Sequence, residues 1–242
     1  MKENIILEGN ISVKSALESK YTKLSKIMVD KKKHDKDTNY ILALAYNSDV
    51  EVIKCERSEI EPYCSGKTHG GLIGFVLSHT YQSIEDLKDD DFIAIIEGIE
   101  DPFNFGHVIR SLYASGVSAI ITTNHTFETR QNIICKSSAG ASEKIKMIIS
   151  SDLGEDVRKL KEDFKIICAN RSDHSIIMYD YDYTQKVCIA IGGEKRGLSK
   201  DVLALSDQDV YIPYNQNFRN ALSASSASTI LAYEVLRQRL NK

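Results

Sequence analysis

The sequence predicts an α/β fold with two parts: a small α/β domain followed by a larger, three-layer domain built on a parallel sheet. Phe92–Ile96 and Val187–Ile191 are short, almost continuous apolar runs, the pattern of strands buried on both faces of a parallel sheet. Val108, Ile109, Leu112 and Tyr113 follow the first run at helical spacing. The next apolar run, at 119–121, completes a β-turn-α-β unit.

A charged connector separates the two predicted domains. The apolar run at 72–77 ends the first block, and residues 84–91 are rich in acidic residues before the central sheet begins. We therefore predict a first domain at 1–80, a connector at 81–91 and a second domain at 92–242.

Predicted strands and helices alternate in the first domain, which indicates a small three-layer α/β unit. Its strands are predicted at 5–9, 27–29, 50–53 and 72–77, and its helices at 13–24 and 40–46. In the second domain further strands are predicted at 145–149 and 210–213, and a long helix at about 221–240.

Composition excludes several classes of protein. The net charge of −3 is not that of a generally basic nucleic-acid-binding protein, so any RNA contact must come from local patches. The five cysteines show no Cys-x-x-Cys spacing, so neither a disulfide framework nor a structural zinc site is predicted, and we expect Cys168 and Cys188 to be reduced core residues. No apolar run approaches the ~18 residues needed to cross a bilayer, which favours a cytoplasmic protein without a membrane segment.

Polar residues and glycines follow the apolar strands at three places. Asn104, Gly106 and Arg110 follow the first strand, where the loop beyond the carboxyl end is the usual ligand site of an α/β unit. Gly192–Ser199 follows the second, with glycines that allow close backbone approach. The third place is the polar loop between the 210–213 strand and the last helix. These glycines lack the G-x-G-x-x-G order of a dinucleotide site, and no Walker A sequence is present.

In this order and near the C-terminus, the three segments resemble the three motifs of the SpoU/TrmH-type RNA ribose methyltransferases of the SPOUT superfamily. Ile6–Gly9 and Thr68–Gly71 likewise resemble parts of the ribosomal-protein-like substrate-binding domain that precedes many of these enzymes. The resemblance implies transfer of a methyl group from S-adenosylmethionine to a ribose 2′-hydroxyl in structured RNA, with ribosomal RNA favoured over transfer RNA. It also implies a deep trefoil knot and a homodimer formed through the second domain.

The resemblance implies a catalytic role for Arg110, Asn104 and Glu194. Because arginine stays protonated in proteins, we expect Arg110 to clamp a phosphate and support the alkoxide rather than to abstract a proton. Asn104 contributes to the catalytic loop or shapes an Asx-turn into the helix. Glu194 organises these two residues or the substrate. Taken alone, the arginine reads as a surface residue of an amphipathic helix and the glutamate as a solvated turn residue.

The expected cofactor cradle uses backbone groups and an apolar slot for adenine. The resemblance assigns it to Gly193, Gly197, Leu198, Ile212 and Leu222, and each of these also fits an ordinary turn or core position.

The third segment departs from the family pattern. The family has Ser-Leu-Asn-Val-Ser where this chain has Ala221-Leu222-Ser223-Ala224-Ser225, so Ser223 stands in place of the asparagine. A serine hydroxyl still caps a helix but reaches less far than an amide. The neighbouring Arg219 and Asn220 are candidates for part of the missing role.

Two basic clusters are candidates for RNA contact. The first is Lys31, Lys32 and Lys33, whose interleaving with aspartates favours the simpler interpretation as a solvated loop. The second is Lys195 with Arg196, in the glycine-containing turn.

Two alternative functions follow from the same residues. Ala221, Ser223 and the acidic balance fit a catalytically silent RNA-binding or ribosome-assembly protein that keeps the fold. A methyltransferase acting on a base or on a small molecule is the other alternative.

Overall fold

In the computed structural model of the chain, which describes residues 5–66, 68–123, 126–216 and 220–240, the backbone forms two compact units. The first comprises Met1–Thr80 and Thr126–Lys144, and the second comprises Tyr81–His125 and Ile145–Lys242. The segment 126–144 thus leaves the second unit, joins the first and returns, a path that the strand and helix patterns did not predict.

The bounds of the elements are as follows. The strands are β1 (Ile6–Glu8), β2 (Thr22–Asp30), β3 (Glu51–Cys55), β4 (Leu72–His79), β5 (Phe92–Glu97), β6 (Ala119–Thr122), β7 (Lys146–Ile149), β8 (Lys165–Ala169), β9 (Ile176–Ile177), β10 (Val187–Gly192) and β11 (Gln208–Tyr211). The α-helices are α1 (Gly9–Leu17), α2 (Lys36–Asn47), α3 (Arg57–Ile60), α4 (Pro102–Ala114), α5 (Thr126–Ser137), α6 (Leu153–Leu160), α7 (Lys200–Ala204) and α8 (Ala224–Leu240).

The first unit is built on a four-stranded mixed sheet of order β1-β4-β2-β3, in which β2 and β3 are parallel. Residues of α1, α2 and α5 form one core on this sheet, with Val13, Ile41 and Cys135 fully buried. Ile60 of α3 belongs to a smaller core with Met28 and other strand residues.

The helix predicted at 13–24 is wrong in its second half. It ends at Leu17, and Thr22 already belongs to β2. The hydroxyl of Ser19 accepts hydrogen bonds from the backbone N–H groups of Tyr21 (2.9 Å) and Thr22 (3.0 Å), which turns the chain and separates the two elements.

The second unit is built on a seven-stranded sheet of order β7-β6-β5-β10-β8-β11-β9, with every neighbouring pair parallel. This confirms the predicted parallel sheet. The two apolar runs that predicted it form its adjacent central strands, paired from Val187↔Phe92 to Gly192↔Glu97. Because the strands are parallel and in this register, the loops that follow β5 and β10 leave the sheet side by side.

Two further expectations concern the cysteines and membranes. All five cysteines are unpaired thiols, and Cys168 and Cys188 are fully buried, as predicted. Among the described residues no helix combines the length and apolar character that a membrane span requires.

Candidate functional site

Asn104, Gly106 and Arg110 lie inside α4 and not in a turn before it. The cap of this helix is Asp101, whose carboxylate accepts a hydrogen bond from the backbone N–H of Asn104 at 2.8 Å, and Pro102 occupies the first helical position. Asn104 therefore does not form the Asx-turn into the helix. Its side chain is exposed, as is that of Arg110.

The two faces of α4 have different roles. Phe105, Val108, Ile109 and Leu112 are fully buried, and the helix packs against α8. Asn104, His107 and Arg110 follow at intervals of three residues and are all exposed, so they form one strip on the outer face. The packing against α8 fixes the direction in which this strip points.

The loop after β10 needs its glycines because two backbone segments approach each other there. A Cβ atom on Gly193 would lie 2.3 Å from the carbonyl oxygen of Gly98, just after β5. Gly197 has a positive φ of 64°, and its N–H donates to the carbonyl of Gly193 at 2.9 Å, which closes a tight turn. The backbone N–H of Ser199 donates to the carboxylate of Glu97 (2.8 Å), which joins this loop to the end of β5.

Three side chains hold the backbone where α8 begins. The hydroxyl of Tyr214 accepts a hydrogen bond from the backbone N–H of Leu222 at 3.0 Å, and Oε1 of Glu194 accepts one from Ala224 at 3.3 Å. The hydroxyl of Ser223 accepts one from Ser226 at 3.2 Å, so Ser223 is the cap of α8. The second and third motif segments therefore meet.

Glu234 lies in the second half of α8 and forms an ion pair with Arg237 of the same helix. Glu234 is buried, and both of its oxygens accept hydrogen bonds from Arg237, at 2.8 and 2.7 Å. These hydrogen bonds lower the pKa of the Glu234 carboxyl below its usual range. Glu234 does not line the cavity described next.

A cavity of about 330 Å³ lies where these segments meet at the carboxyl edge of the sheet. Four of the five expected cofactor residues line it: Gly193, Gly197, Ile212 and Leu222. The fifth, Leu198, is instead packed in the apolar core with Ala190 and Val202. The Leu198 side chain is only 8% exposed, so it packs the loop against the core and does not contact the cavity.

Of the four expected catalytic residues, the cavity wall includes only Glu194. Asn104 and Arg110 lie on α4, outside the wall, and Ser223 is turned to its capping role. Lys195 and Arg196 are exposed in the same turn as Glu194, whereas Lys31, Lys32 and Lys33 lie in the first unit.

The sequence analysis missed several polar residues that line the cavity. Asn170 and Arg171 follow β8, and the Cζ atom of Arg171 lies 5.5 Å from the ring centroid of Tyr211, which also lines the cavity. The sequence signal that could have identified them is a polar pair directly after the apolar run that forms β8. Of the two residues that the sequence analysis did name beside the third segment, Asn220 lines the cavity, and Arg219 lies outside the described residues.

Two family models cover most of the chain. Residues 91–233 match the model described as the SpoU rRNA Methylase family, and residues 6–82 match that described as RNA 2′-O ribose methyltransferase substrate binding. The two matches leave residues 83–90 between them.

Relatives of similar length align over almost the whole chain. The 23S rRNA (guanosine-2′-O-)-methyltransferase RlmB of Acinetobacter baylyi is 28% identical over 240 residues, which cover 96% of each chain. A putative TrmH family tRNA/rRNA methyltransferase of Staphylococcus saprophyticus is 28% identical over 244 residues, covering 98% of this chain and 97% of the relative.

Solved structures share the fold. The SpoU methyltransferase AviRb from Streptomyces viridochromogenes superimposes with a TM-score of 0.81 at 21% identity, covering 98% of this chain and 90% of AviRb. Its complex with the cofactor AdoMet gives a TM-score of 0.80, also at 21% identity, covering 98% and 91%. With the family model matched over residues 91–233, the chain belongs to the SpoU rRNA methylase family.

Proposed function

We propose that this protein transfers a methyl group from S-adenosylmethionine to a ribose 2′-hydroxyl in structured RNA, with ribosomal RNA as the favoured substrate. The observation that carries the proposal is the cavity at the carboxyl edge of the parallel sheet, where the second and third motif segments meet. RlmB, which aligns over 96% of its own length, bears a name that specifies this reaction on 23S rRNA.

The cavity fits S-adenosylmethionine in size and chemistry. Its volume of about 330 Å³ lies within the range of small-molecule sites. Apolar side chains such as Ile212 and Leu222 offer a slot for adenine, and Gly193 and Gly197 let backbone groups come close. Among the described residues of its wall, Arg171 is the cation and Glu194 the anion, which suits a ligand that carries charges of both signs. When bound there, the cofactor supplies a methyl group on a positively charged sulfur.

Residues of α4 would bind the methyl acceptor, the ribose 2′-hydroxyl of the RNA. Arg110 is exposed on the outer strip of this helix and lies outside the cavity wall, where a chain of RNA can reach it. Its guanidinium has the planar fork that matches a phosphate, and its fixed positive charge favours the alkoxide that develops as the 2′-hydroxyl loses its proton. Asn104 and His107 on the same strip would contact the same nucleotide.

We propose that the first domain recognises the RNA. Lys31, Lys32 and Lys33 would contribute there, and Lys195 with Arg196 would contact RNA near the cavity. Because segment 126–144 is part of the same compact unit, we include it in the recognition unit.

We also propose that the second domain carries the trefoil knot of the family and pairs with a second copy. Exposed aromatic side chains support the pairing: Phe103 and Tyr113 on α4 and Tyr233 on α8 are 56%, 42% and 45% exposed. Aromatic residues are enriched at protein interfaces.

The test is methyl transfer from labelled S-adenosylmethionine to a 23S rRNA transcript, followed by nuclease digestion to nucleosides. A labelled 2′-O-methylnucleoside is expected. Label on a base would assign the chain to the base methyltransferases. The silent RNA-binding protein, favoured by Ala221 and Ser223 in the third segment, predicts that no transfer occurs to any RNA.

A further inference from the structure

A second concavity, of about 490 Å³, lies in the first unit, remote in sequence from every cavity-lining motif. It opens at the carboxyl edge of the parallel pair β2 and β3, where the chain turns into α2 and α3. Ligand sites in α/β sheets favour this edge. Its charged wall consists of Asp30, Lys32, Lys33, His34, Asp35 and Arg57.

Both carboxylates of this cleft accept hydrogen bonds from neighbouring groups of the protein. Oδ1 of Asp35 accepts a hydrogen bond from the backbone N–H of Thr38 (2.9 Å), and Oδ2 accepts from Lys33 Nζ (2.9 Å). These contacts hold the pKa of Asp35 far below its usual range. Oδ1 of Asp30 accepts from the backbone N–H of Lys32 at 3.0 Å. The charge of Asp35 is therefore paired with that of Lys33, whereas Asp30 keeps one negative charge, which the two positive charges of Lys32 and Arg57 exceed.

Lys32 and Arg57 are the cations that remain. Lys31 is held in an ion pair with Glu56, and Lys33 pairs with Asp35. In the part of the chain that the structure describes, neither Lys32 nor Arg57 is in an ion pair, and both side chains are exposed. The imidazole of His34 adds a hydrogen-bond donor on the same wall.

We propose that this cleft binds a phosphodiester group of the RNA backbone, with Lys32 and Arg57 as its main contacts. The inference rests on the proposed function, because the RNA is the substrate proposed above. A guanidinium beside an ammonium provides the fork and the point charge that phosphate oxygens accept. The cleft adds Arg57 and His34 to the recognition surface and reduces the role of Lys31, whose charge is already balanced.

The test measures the affinity for a 23S rRNA transcript as a function of salt concentration. Each phosphate contact contributes about 0.7 to 0.9 to the slope of log K against log salt. Replacing Lys32 and Arg57 together by glutamine removes the one phosphate contact of the cleft and is therefore expected to lower this slope by about 0.7 to 0.9 and to weaken binding about tenfold in low salt. The control is Lys23→Gln, which removes one positive charge from an exposed position at the opposite end of β2 and leaves the slope unchanged.

Further measurements distinguish failure of the phosphate cleft from failure of the proposed methyl transfer. A urea-unfolding midpoint equal to the parent's, followed by circular dichroism, shows that the double variant is folded. If the double variant then binds RNA with the parent's affinity and slope, the cleft is not a phosphate site, whatever the parent's activity. If the double variant has the lower salt slope but the parent transfers no methyl group to RNA, the phosphate site is supported and the proposed reaction is contradicted. Inorganic phosphate at millimolar concentration distinguishes the source: failure to displace the RNA is expected, and full displacement would assign the cleft to free phosphate.

Discussion

The carboxylate of Glu194 lies at the N-terminal end of the last helix, where its Oε1 accepts a hydrogen bond from the backbone N–H of Ala224 at 3.3 Å. The positive end of the α8 dipole favours a negative charge at this position. Glu194 thus joins the glycine-containing loop after β10 to the start of α8, and both segments line the cavity. We interpret it as a positioning residue for the cofactor wall.

Glu194→Ala is expected to weaken binding of S-adenosylhomocysteine about two- to tenfold. The lost hydrogen bond contributes about 0.5 to 1.5 kcal/mol, and each 1.4 kcal/mol corresponds to about a tenfold change in affinity. Glu194→Gln keeps an acceptor oxygen but removes the charge, so we expect a smaller loss. Calorimetric titration measures the affinity of both variants for S-adenosylhomocysteine. If Glu194→Ala binds this ligand as tightly as the parent does, Glu194 does not position the cofactor wall.

Arg110→Ala is expected to abolish methyl transfer while the dissociation constant for S-adenosylhomocysteine stays within a few fold of the parent's. Arg110 lies outside the cavity wall, so its loss affects the acceptor and not the cofactor. Arg110→Lys should also fail, since lysine lacks the bidentate fork. Arg158→Ala, an exposed arginine on α6, is the control. If the Arg110→Ala variant retains most of its activity, Arg110 has no part in the mechanism.

Arg171→Ala is expected to weaken S-adenosylhomocysteine much more than 5′-methylthioadenosine. Arg171 is the cation of the described cavity wall, and only the first of these ligands carries a carboxylate for it. Its contact with Tyr211 holds the guanidinium in place. An equal loss of affinity for both ligands would mean that Arg171 contacts the nucleoside. Unchanged affinity for both would show that Arg171 does not bind the cofactor.

A buried polar cluster in the first unit makes stability depend on pH. The carboxylate of Glu143 accepts hydrogen bonds from Thr22, from Gln131 (3.0 Å) and from Ser142 (2.9 Å), and His79 Nδ1 lies 2.7 Å from the Thr22 hydroxyl. Burial raises the pKa of Glu143 and lowers the pKa of His79 to about 4. Folding therefore favours the neutral form of both groups.

The contribution of His79 to the free energy of unfolding is expected to fall as the pH drops from about 6.5 towards 4. In this window the unfolded chain binds a proton at His79 and the folded chain does not, which costs the folded state roughly 3 kcal/mol once the pH is below both pKa values. Urea unfolding followed by circular dichroism at several pH values measures this. His79→Gln should flatten the dependence, and the exposed His174→Gln should not. Equal pH dependence of parent and His79→Gln would contradict the assignment. Glu143 acts with the opposite sign, because its stabilising effect declines as the pH rises through its raised pKa.

The central sheet could be predicted from the sequence because its signal is local. Phe92–Ile96 and Val187–Ile191 are apolar on both faces, and a strand buried on both faces needs no further information. The signal for the start of α4 is equally local, since Asp101 followed by Pro102 is a cap signature.

The remaining parts depend on contacts that periodicity does not encode. Tyr211 and Arg171 share the cavity because β11 pairs with β8, and that neighbour relation is a property of the topology. The place of α5 in the first unit depends on Gly140, where a Cβ atom would lie 1.9 Å from the Ser15 hydroxyl. Deleting residues 1–80 would therefore remove the core against which Cys135 of α5 is packed.

The most direct test of the proposed function is a map of ribose methylation in the ribosomal and transfer RNA of a strain that lacks this protein. Loss of one 2′-O-methylated nucleotide is predicted, restored by the parent chain but not by Arg110→Ala. An unchanged ribose methylation pattern, or loss of a base methylation alone, would contradict the proposal.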